Sequence, residues 1–224
     1  MEIRFEENSV WITGLAEFGA AHIFENGQTF RFADVGGGVY EGVAFGRFLR
    51  VRKQKDEIVL GPATKVEFEE IWRDYFDLSR DYATLFSNCG DEALARSRAY
   101  AQGLRVLRQQ PFEVLICFIL SANNNIGRIR KTVQSICELC GKPFVCEGRA
   151  FYTFPTPKAL AAVSEEQLRA CGCGYRAPYL LRTAKKVAEG FDMQALFAMP
   201  YEQAKGALLA FPGVGPKVAD CVLL

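Results

Sequence analysis

The residues best placed to do chemistry lie near the end of the chain. In Phe211-Pro212-Gly213-Val214-Gly215-Pro216-Lys217 a lysine follows two residues after a Gly-Val-Gly turn. Glycines let a backbone turn tightly and bring its N–H groups close to a ligand. Pro216 suits the first position of a helix, and a helix starting there adds unpaired N–H groups and a positive dipole end. Gly213, Val214 and Gly215 therefore make a candidate anion site suited to a DNA phosphate. A plain connector between two helices is the other reading of the same turn. A lysine held at that point, Lys217, can attack an electrophilic sugar carbon and form a Schiff base; its other reading is a solvated surface lysine.

Further candidates lie upstream. Asn123, Asn124 and Asn125 close a nearly all-apolar run, and Arg128 follows them. Asparagines also serve as helix caps, and arginines as surface charge. Tyr175 and Arg176 sit in the Cys-Gly-Cys-Gly-Tyr-Arg segment 171–176, and Cys221 lies one helical turn past Lys217. A buried core cysteine is a common alternative for Cys221.

The elements that must position these residues divide the chain in two. Ser9–Gly14 and Val39–Pro62 alternate, are rich in Val, Ile and Phe, and are broken by glycines, as strands are. Gly36–Gly38 signals a turn. Phe18–Gly27 reads as a short helix stopped at Asn26-Gly27, and Val66–Asp77 has helical spacing at Phe68, Ile71, Trp72, Tyr75 and Phe76. From Asp81 onward the pattern is helical with no convincing strand. Phe112–Asn125 reads as a buried central helix, and the next helix ends at Gly141. Ser164 with Gln167 forms a capping box. The end of the chain reads as helix, tight hairpin, helix. The expectation is an α+β protein: a small antiparallel β-sheet domain with helices over 1–108, then an all-α domain over 109–224.

Composition narrows the classes. Half the residues are hydrophobic, no apolar run is long enough to span a bilayer, and the acidic start is wrong for a signal peptide. An intracellular protein is expected, in the cytoplasm or nucleoid if bacterial and in the nucleus if eukaryotic, with no membrane partner and as a monomer. Eight cysteines fit reduced thiols better than a disulfide framework. The net charge of +1 hides a split: residues 1–100 carry 12 Lys and Arg against 17 Asp and Glu, whereas 101–224 carry 15 against 9. A basic second half suggests a nucleic-acid-facing part, although an ordinary surface has a similar balance.

Four ordered stretches then make a specific resemblance. Phe211–Cys221 is similar to the hairpin of the helix-hairpin-helix–Gly/Pro–Asp superfamily of DNA glycosylases, and most closely to the 8-oxoguanine DNA glycosylase family. Leu107–Ile129 resembles that family's Asn-Asn-Asn helix segment, Cys171–Leu180 its Gly-Tyr-Arg-Ala loop, and Asn26–Phe32 its Gly-Gln-x-Phe-Arg segment. The resemblance implies a TATA-binding-protein-like first domain, a helix-hairpin-helix glycosylase domain after it, and a bifunctional DNA N-glycosylase/lyase. Its partner would be double-stranded DNA containing 8-oxoguanine opposite cytosine.

Roles follow residue by residue from the same resemblance. Lys217 matches the catalytic lysine. Gly27 matches the glycine whose carbonyl accepts N7–H of 8-oxoguanine, and Cys221 a cysteine lining the base pocket. Asn123, Arg128 and Arg176 match the residues that hold the estranged cytosine, whose edge a flipped partner leaves unpaired. Tyr175 matches an aromatic wedge in the DNA stack. No cofactor is implied. Cys137, Cys140 and Cys146 carry two of the spacings of the iron–sulfur cluster found in endonuclease III-type relatives, but Arg130 stands at the first ligand position. Cys171 and Cys173 could complete a zinc site only in principle, so no cluster is expected. A structural cation could sit on the carbonyls of Leu209, Phe211 and Val214.

The family's catalytic aspartate falls downstream of the lysine, past Leu224, and Asp220 is not its substitute. On that ground the chain is expected to be a fragment or truncated gene product with an incomplete second domain, and with weak or no turnover. Two other functions are weighed: an endonuclease III-like glycosylase for oxidised pyrimidines, and a truncated, non-catalytic helix-hairpin-helix DNA-binding protein.

Overall fold

In the computed structural model the chain forms two compact units, Met1–Arg108 and Gln109–Leu224. The structure describes residues 1–15, 17–85 and 91–224.

The first unit is built on six antiparallel strands: β1 (Glu2–Glu6), β2 (Ser9–Thr13), β3 (Phe32–Asp34), β4 (Tyr40–Ala44), β5 (Arg47–Gln54) and β6 (Glu57–Gly61). Their order across the sheet is β1-β2-β6-β5-β4-β3. Val10 pairs with Leu60, and Leu60 with Val51, so three buried side chains run in line across the middle of the sheet. The edge strands β1 and β3 were not among the expected strands. Helix α1 (Ala20–Phe24) stops at Glu25, before the expected Asn26-Gly27; Gly27 still takes a left-handed φ of 86°. The run Val66–Asp77 is helical as its spacing predicts, but in three pieces: α2 (Lys65–Glu67), a π-helical turn (Phe68–Trp72) and α3 (Arg73–Tyr75). Phe68, Trp72, Tyr75 and Phe76 all point inward and meet Phe24, Phe32 and the sheet in one aromatic-rich core. Helix α4 (Glu92–Tyr100) follows, capped by Asp91.

The second unit centres on α5 (Pro111–Ser121), whose apolar run is buried along most of its length. Around it stand α6 (Ile126–Cys140), α7 (Pro157–Ala161), α8 (Glu165–Ala170), α9 (Ala177–Ala188), α10 (Tyr201–Leu209) and α11 (Pro216–Leu223). Helices α6, α9 and α11 pack on α5. Ser164 and Gln167 form the capping box of α8 as expected. One expectation is corrected: the unit is not all-α. Strands β7 (Pro143–Cys146) and β8 (Arg149–Tyr152) form a hairpin between α6 and α7. Its turn, Glu147-Gly148, has positive φ at both residues (48° and 73°). That is the geometry of a two-residue hairpin, usually announced by Asn-Gly or Asp-Gly; a glutamate in the first place hides it.

No helix among the described residues is long and apolar enough to cross a membrane.

Candidate active site and nucleic-acid interface

The hairpin between α10 and α11 holds the candidate nucleophile. Helix α10 ends at Leu209, and Ala210 caps it. Lys186 of α9 donates from Nζ to the Ala210 carbonyl at 3.2 Å and lies 4.2 Å from the centre of the Phe211 ring. Phe191 meets the same ring edge-on at 4.8 Å. Helix α9 and the segment just after it therefore clamp the entry to the hairpin. Gly213 turns the chain at φ 80°, beside the Tyr179 ring. Gly215 is the N-cap of α11 with extended backbone (φ −97°, ψ 178°), and no side chain caps the helix. Its first turn, with Pro216 in it, thus leaves N–H groups unclaimed by the protein.

Of the three hairpin residues, Val214 is held differently from its two glycine neighbours. It is buried, and its N–H donates to the Phe211 carbonyl at 3.2 Å. It anchors the hairpin to the core, and its N–H is already engaged. The same bond engages Phe211's carbonyl, and Lys186 engages that of Ala210. Of the three carbonyls of the candidate cation site, those of Leu209, Phe211 and Val214, the Phe211 carbonyl thus already accepts a hydrogen bond. Lys217 is exposed on the first turn of α11, and no ion pair or hydrogen bond of its amine is found among the described residues. Cys221, half-buried, lies one turn on. Asp220 faces α10, where it accepts from Lys205 Nζ at 2.8 Å and Tyr201 Oη at 2.7 Å. The hydrogen bond from Lys205 holds its carboxyl below the usual carboxylate range, with Tyr201 adding to the effect.

A second cluster forms in the same unit. Asn123, Arg128, Tyr175 and Arg176 line one open cavity of about 590 Å³, within the size range of ligand pockets. Asn125 caps α6 by accepting from Arg128 N–H at 2.9 Å. Asn123, just before, is forced to a left-handed φ of 50°. Arg176 explains how that strain is held. It is only 7% exposed, and it donates from Nε to the Ala122 carbonyl at 3.0 Å and from Nη2 to the carbonyls of Ala122 and Asn123. The Tyr175 ring stacks on its guanidinium at 4.3 Å, and the Tyr175 hydroxyl donates to Ala122 as well. Tyr175 itself remains 53% exposed. The left-handed turn and the two residues that grip it are one assembly. Removing the guanidinium leaves carbonyls that lose charge-assisted bonds, and each such bond contributes about 1.5–3 kcal/mol. Arg176→Ala is therefore expected to lower unfolding stability by about 2–3 kcal/mol, read by urea denaturation. A loss under about 0.5 kcal/mol would mean that the clamp carries no strain.

Gly27 belongs to the first unit. The side chain of Gln28 fixes it: Nε2 donates to the carbonyls of Ile23 and Arg105 (2.9 and 2.8 Å), and Oε1 accepts from Leu107 N–H at 2.9 Å. Asn26 Oδ1 accepts from Gln28 N–H at 3.0 Å. Thr29, Phe30 and Phe32 of the same segment are buried. Gln28, Tyr179 and Lys186 are positioning residues that the sequence reading does not single out. Gln28 and Tyr179 lie inside the stretches that carry the resemblance, but their side-chain targets are main chain or glycine, which leave no pairing pattern in a sequence. Tyr179 lies one turn from Tyr175, with the rings 6.4 Å apart edge-to-face, and so joins Tyr175 to the hairpin.

Among the described residues no group of three or more His, Cys, Asp or Glu is arranged to hold a metal ion. Cys89 lies outside the described residues, and the other seven cysteines are free thiols. Burial pushes the Cys140 thiol up to about 11 and that of Cys173 up to about 12, and Cys171 next to them adds to both shifts. At pH 8 roughly one Cys140 in a thousand would be thiolate. Its alkylation by iodoacetamide, followed by mass spectrometry, should run more than tenfold slower than that of an unstructured peptide cysteine, and should rise with pH towards 11.

With this geometry in hand, the chain can be placed. Residues 12–115 match the 8-oxoguanine DNA glycosylase N-terminal domain, and residues 116–219 match the HhH-GPD superfamily base excision DNA repair protein. The structure of MBOgg1 in complex with a low affinity DNA ligand superposes with a TM-score of 0.96 at 36% identity, covering 100% of this chain and 78% of that one. The Clostridium acetobutylicum 8-oxoguanine glycosylase/lyase, in complex with double-stranded DNA containing cytosine opposite 8-oxoguanine, superposes with a TM-score of 0.96 at 35% identity, with the same coverage. A probable N-glycosylase/DNA lyase of Methanothermobacter thermautotrophicus is 35% identical over 196 residues, which are 79% of this chain and 61% of that protein. The chain belongs to the 8-oxoguanine DNA glycosylase family, within the HhH-GPD superfamily. It spans less than two thirds of the length of the N-glycosylase/DNA lyases it matches.

Proposed function

We propose that this chain carries the DNA-binding and nucleophilic apparatus of a glycosylase/lyase that excises 8-oxoguanine opposite cytosine. The observation that carries the reading is the cavity where Asn123, Arg128, Tyr175 and Arg176 meet, in the same unit as an exposed lysine on an uncapped helix. Cytosine presents acceptors at O2 and N3, which arginine donors suit. Arg176 is oriented in advance through Nε and Nη2, and Nη1 has no partner among the described residues. Tyr175 fills the gap left in the stack when the lesion base swings out.

In the reaction the Lys217 amine gives its lone pair to C1′ of the sugar. The glycosidic bond breaks, and its electron pair leaves on the base, which takes up a proton. Opening of the sugar ring produces a Schiff base between C1′ and Lys217. Loss of a C2′ proton then expels the 3′ phosphate with the C3′–O electron pair. The N–H groups of Gly213, Gly215 and the first turn of α11 hold a phosphate of the lesion strand. Gly27 reads the lesion: its carbonyl accepts N7–H of 8-oxoguanine but meets a lone pair in guanine, a mismatch of about 1–3 kcal/mol. Such a substrate places the protein wherever the cell keeps its DNA.

Borohydride trapping tests the reading. A covalent adduct on an 8-oxoguanine:cytosine duplex supports it. Binding without any adduct favours a non-catalytic DNA-binding protein, and adducts confined to oxidised pyrimidines overturn the lesion assignment.

A further inference from the structure

The cavity that holds the cytosine-reading residues carries more positive charge than a base requires. Four cations line it, Arg128, Lys131, Arg169 and Arg176, and no carboxylate does. A cytosine is neutral and is read by directed hydrogen bonds, not by net charge. Two of the four cations are already occupied. Arg176 grips the main chain of Ala122 and Asn123. Arg169 is paired with Glu165 at 2.6 Å and donates to the Gly174 carbonyl at 3.3 Å, which fits it to hold the turn under Tyr175. Arg128 is given to the base in the reading above. Lys131 is left over. It is exposed, and among the described residues its ammonium makes no ion pair or hydrogen bond.

Its place on the helix is informative. Arg128, Lys131 and Ser135 follow at three- and four-residue steps along α6, on one face and on one wall of the cavity. Like charges one turn apart repel, and nothing acidic in the cavity wall relieves Arg128 and Lys131. An anion lying along this face would. Ser135 supplies a neutral hydroxyl donor beside it.

We infer that Lys131, with Ser135, holds a backbone phosphate of the strand opposite the lesion, next to the nucleotide whose base Arg128 and Arg176 read. The contact is independent of sequence: it fixes the register of the undamaged strand and takes no part in choosing its base. The inference rests on the opposite-base reading of the cavity, and the two can fail separately.

The test is a salt titration of duplex binding by the full chain, followed by fluorescence anisotropy on 8-oxoguanine:cytosine DNA. Each phosphate neutralised adds about 0.9 to the slope of log affinity against log salt. Lys131→Ala, an exposed helical site where alanine is well accommodated, should flatten the slope by about that amount, with a several-fold loss of affinity at low salt. Its preference for cytosine over adenine opposite the lesion should be unchanged, and Lys131→Arg should restore the slope. Lys158→Ala removes the same charge from α7, outside the cavity, and should leave the slope as it is. An unaltered slope in Lys131→Ala, or an equal drop in Lys158→Ala, overturns the phosphate contact. If instead the unmodified chain binds 8-oxoguanine:cytosine no better than guanine:cytosine, the functional reading fails and the slope still reports on Lys131.

Discussion

Lys217→Gln should abolish every borohydride-trapped adduct on 8-oxoguanine:cytosine duplex while leaving duplex affinity within about threefold. Glutamine keeps a polar side chain one atom shorter but has no basic lone pair, so no Schiff base can form. Loss of a nucleophile typically costs three or more orders of magnitude in rate. Affinity should survive because the side chain contributes nothing to the hairpin itself. Lys217 is exposed and makes no bond among the described residues, and the turn before it is held by Lys186, Phe191 and the Val214–Phe211 bond. Native gels for binding and denaturing gels for the adduct read the two quantities from one sample. An adduct that persists in Lys217→Gln would move the nucleophile elsewhere and remove the main support of the mechanism.

The second large effect separates two glycines that look equivalent in Gly213-Val214-Gly215. Gly213→Ala places a methyl group 2.8 Å from the Tyr179 ring, at a φ of 80°. A left-handed non-glycine residue costs about 1–2 kcal/mol, and overpacking against a ring adds about 1–3 kcal/mol. A loss of about 2–4 kcal/mol of unfolding stability is expected. Gly215 is different: its backbone is extended and a Cβ there meets nothing within 4 Å. Gly215→Ala should cost less than about 0.5 kcal/mol of stability, yet weaken duplex binding at least tenfold, because the proposed function puts a phosphate in that open space. Urea denaturation and anisotropy on the same two variants give both numbers. If Gly215→Ala binds DNA normally, the space is not a phosphate site.

That contrast also marks the limit of what is legible in the amino-acid sequence. The hairpin, its lysine and the order of the four family segments can be read directly. The different needs of the two glycines cannot, since one depends on Tyr179, which lies in another segment. Strand β1 is legible but easily passed over: Ile3 and Phe5 alternate with Glu2, Arg4 and Glu6, a pattern obscured when the segment is read for its charge. Strands β7 and β8 are less so, because Glu147 stands where an asparagine or aspartate would signal the turn. Arg176 shows the hardest case. Its type and place are visible, but its bonds are to carbonyls, which every residue possesses. A side chain that grips main chain leaves no partner residue to find.

The grip of Arg176 on Ala122 and Asn123 has a kinetic meaning too. On the proposed function, the parts that would read the undamaged strand are assembled when the protein folds, and they wait in position for the duplex. Their ordering entropy has been met before encounter, so arrival at a correct and at an incorrect partner base should be equally fast. Discrimination then resides in the lifetime of the complex. A searching molecule of this design would sample undamaged DNA in brief stops and linger only where the base left behind fits a mould already cast.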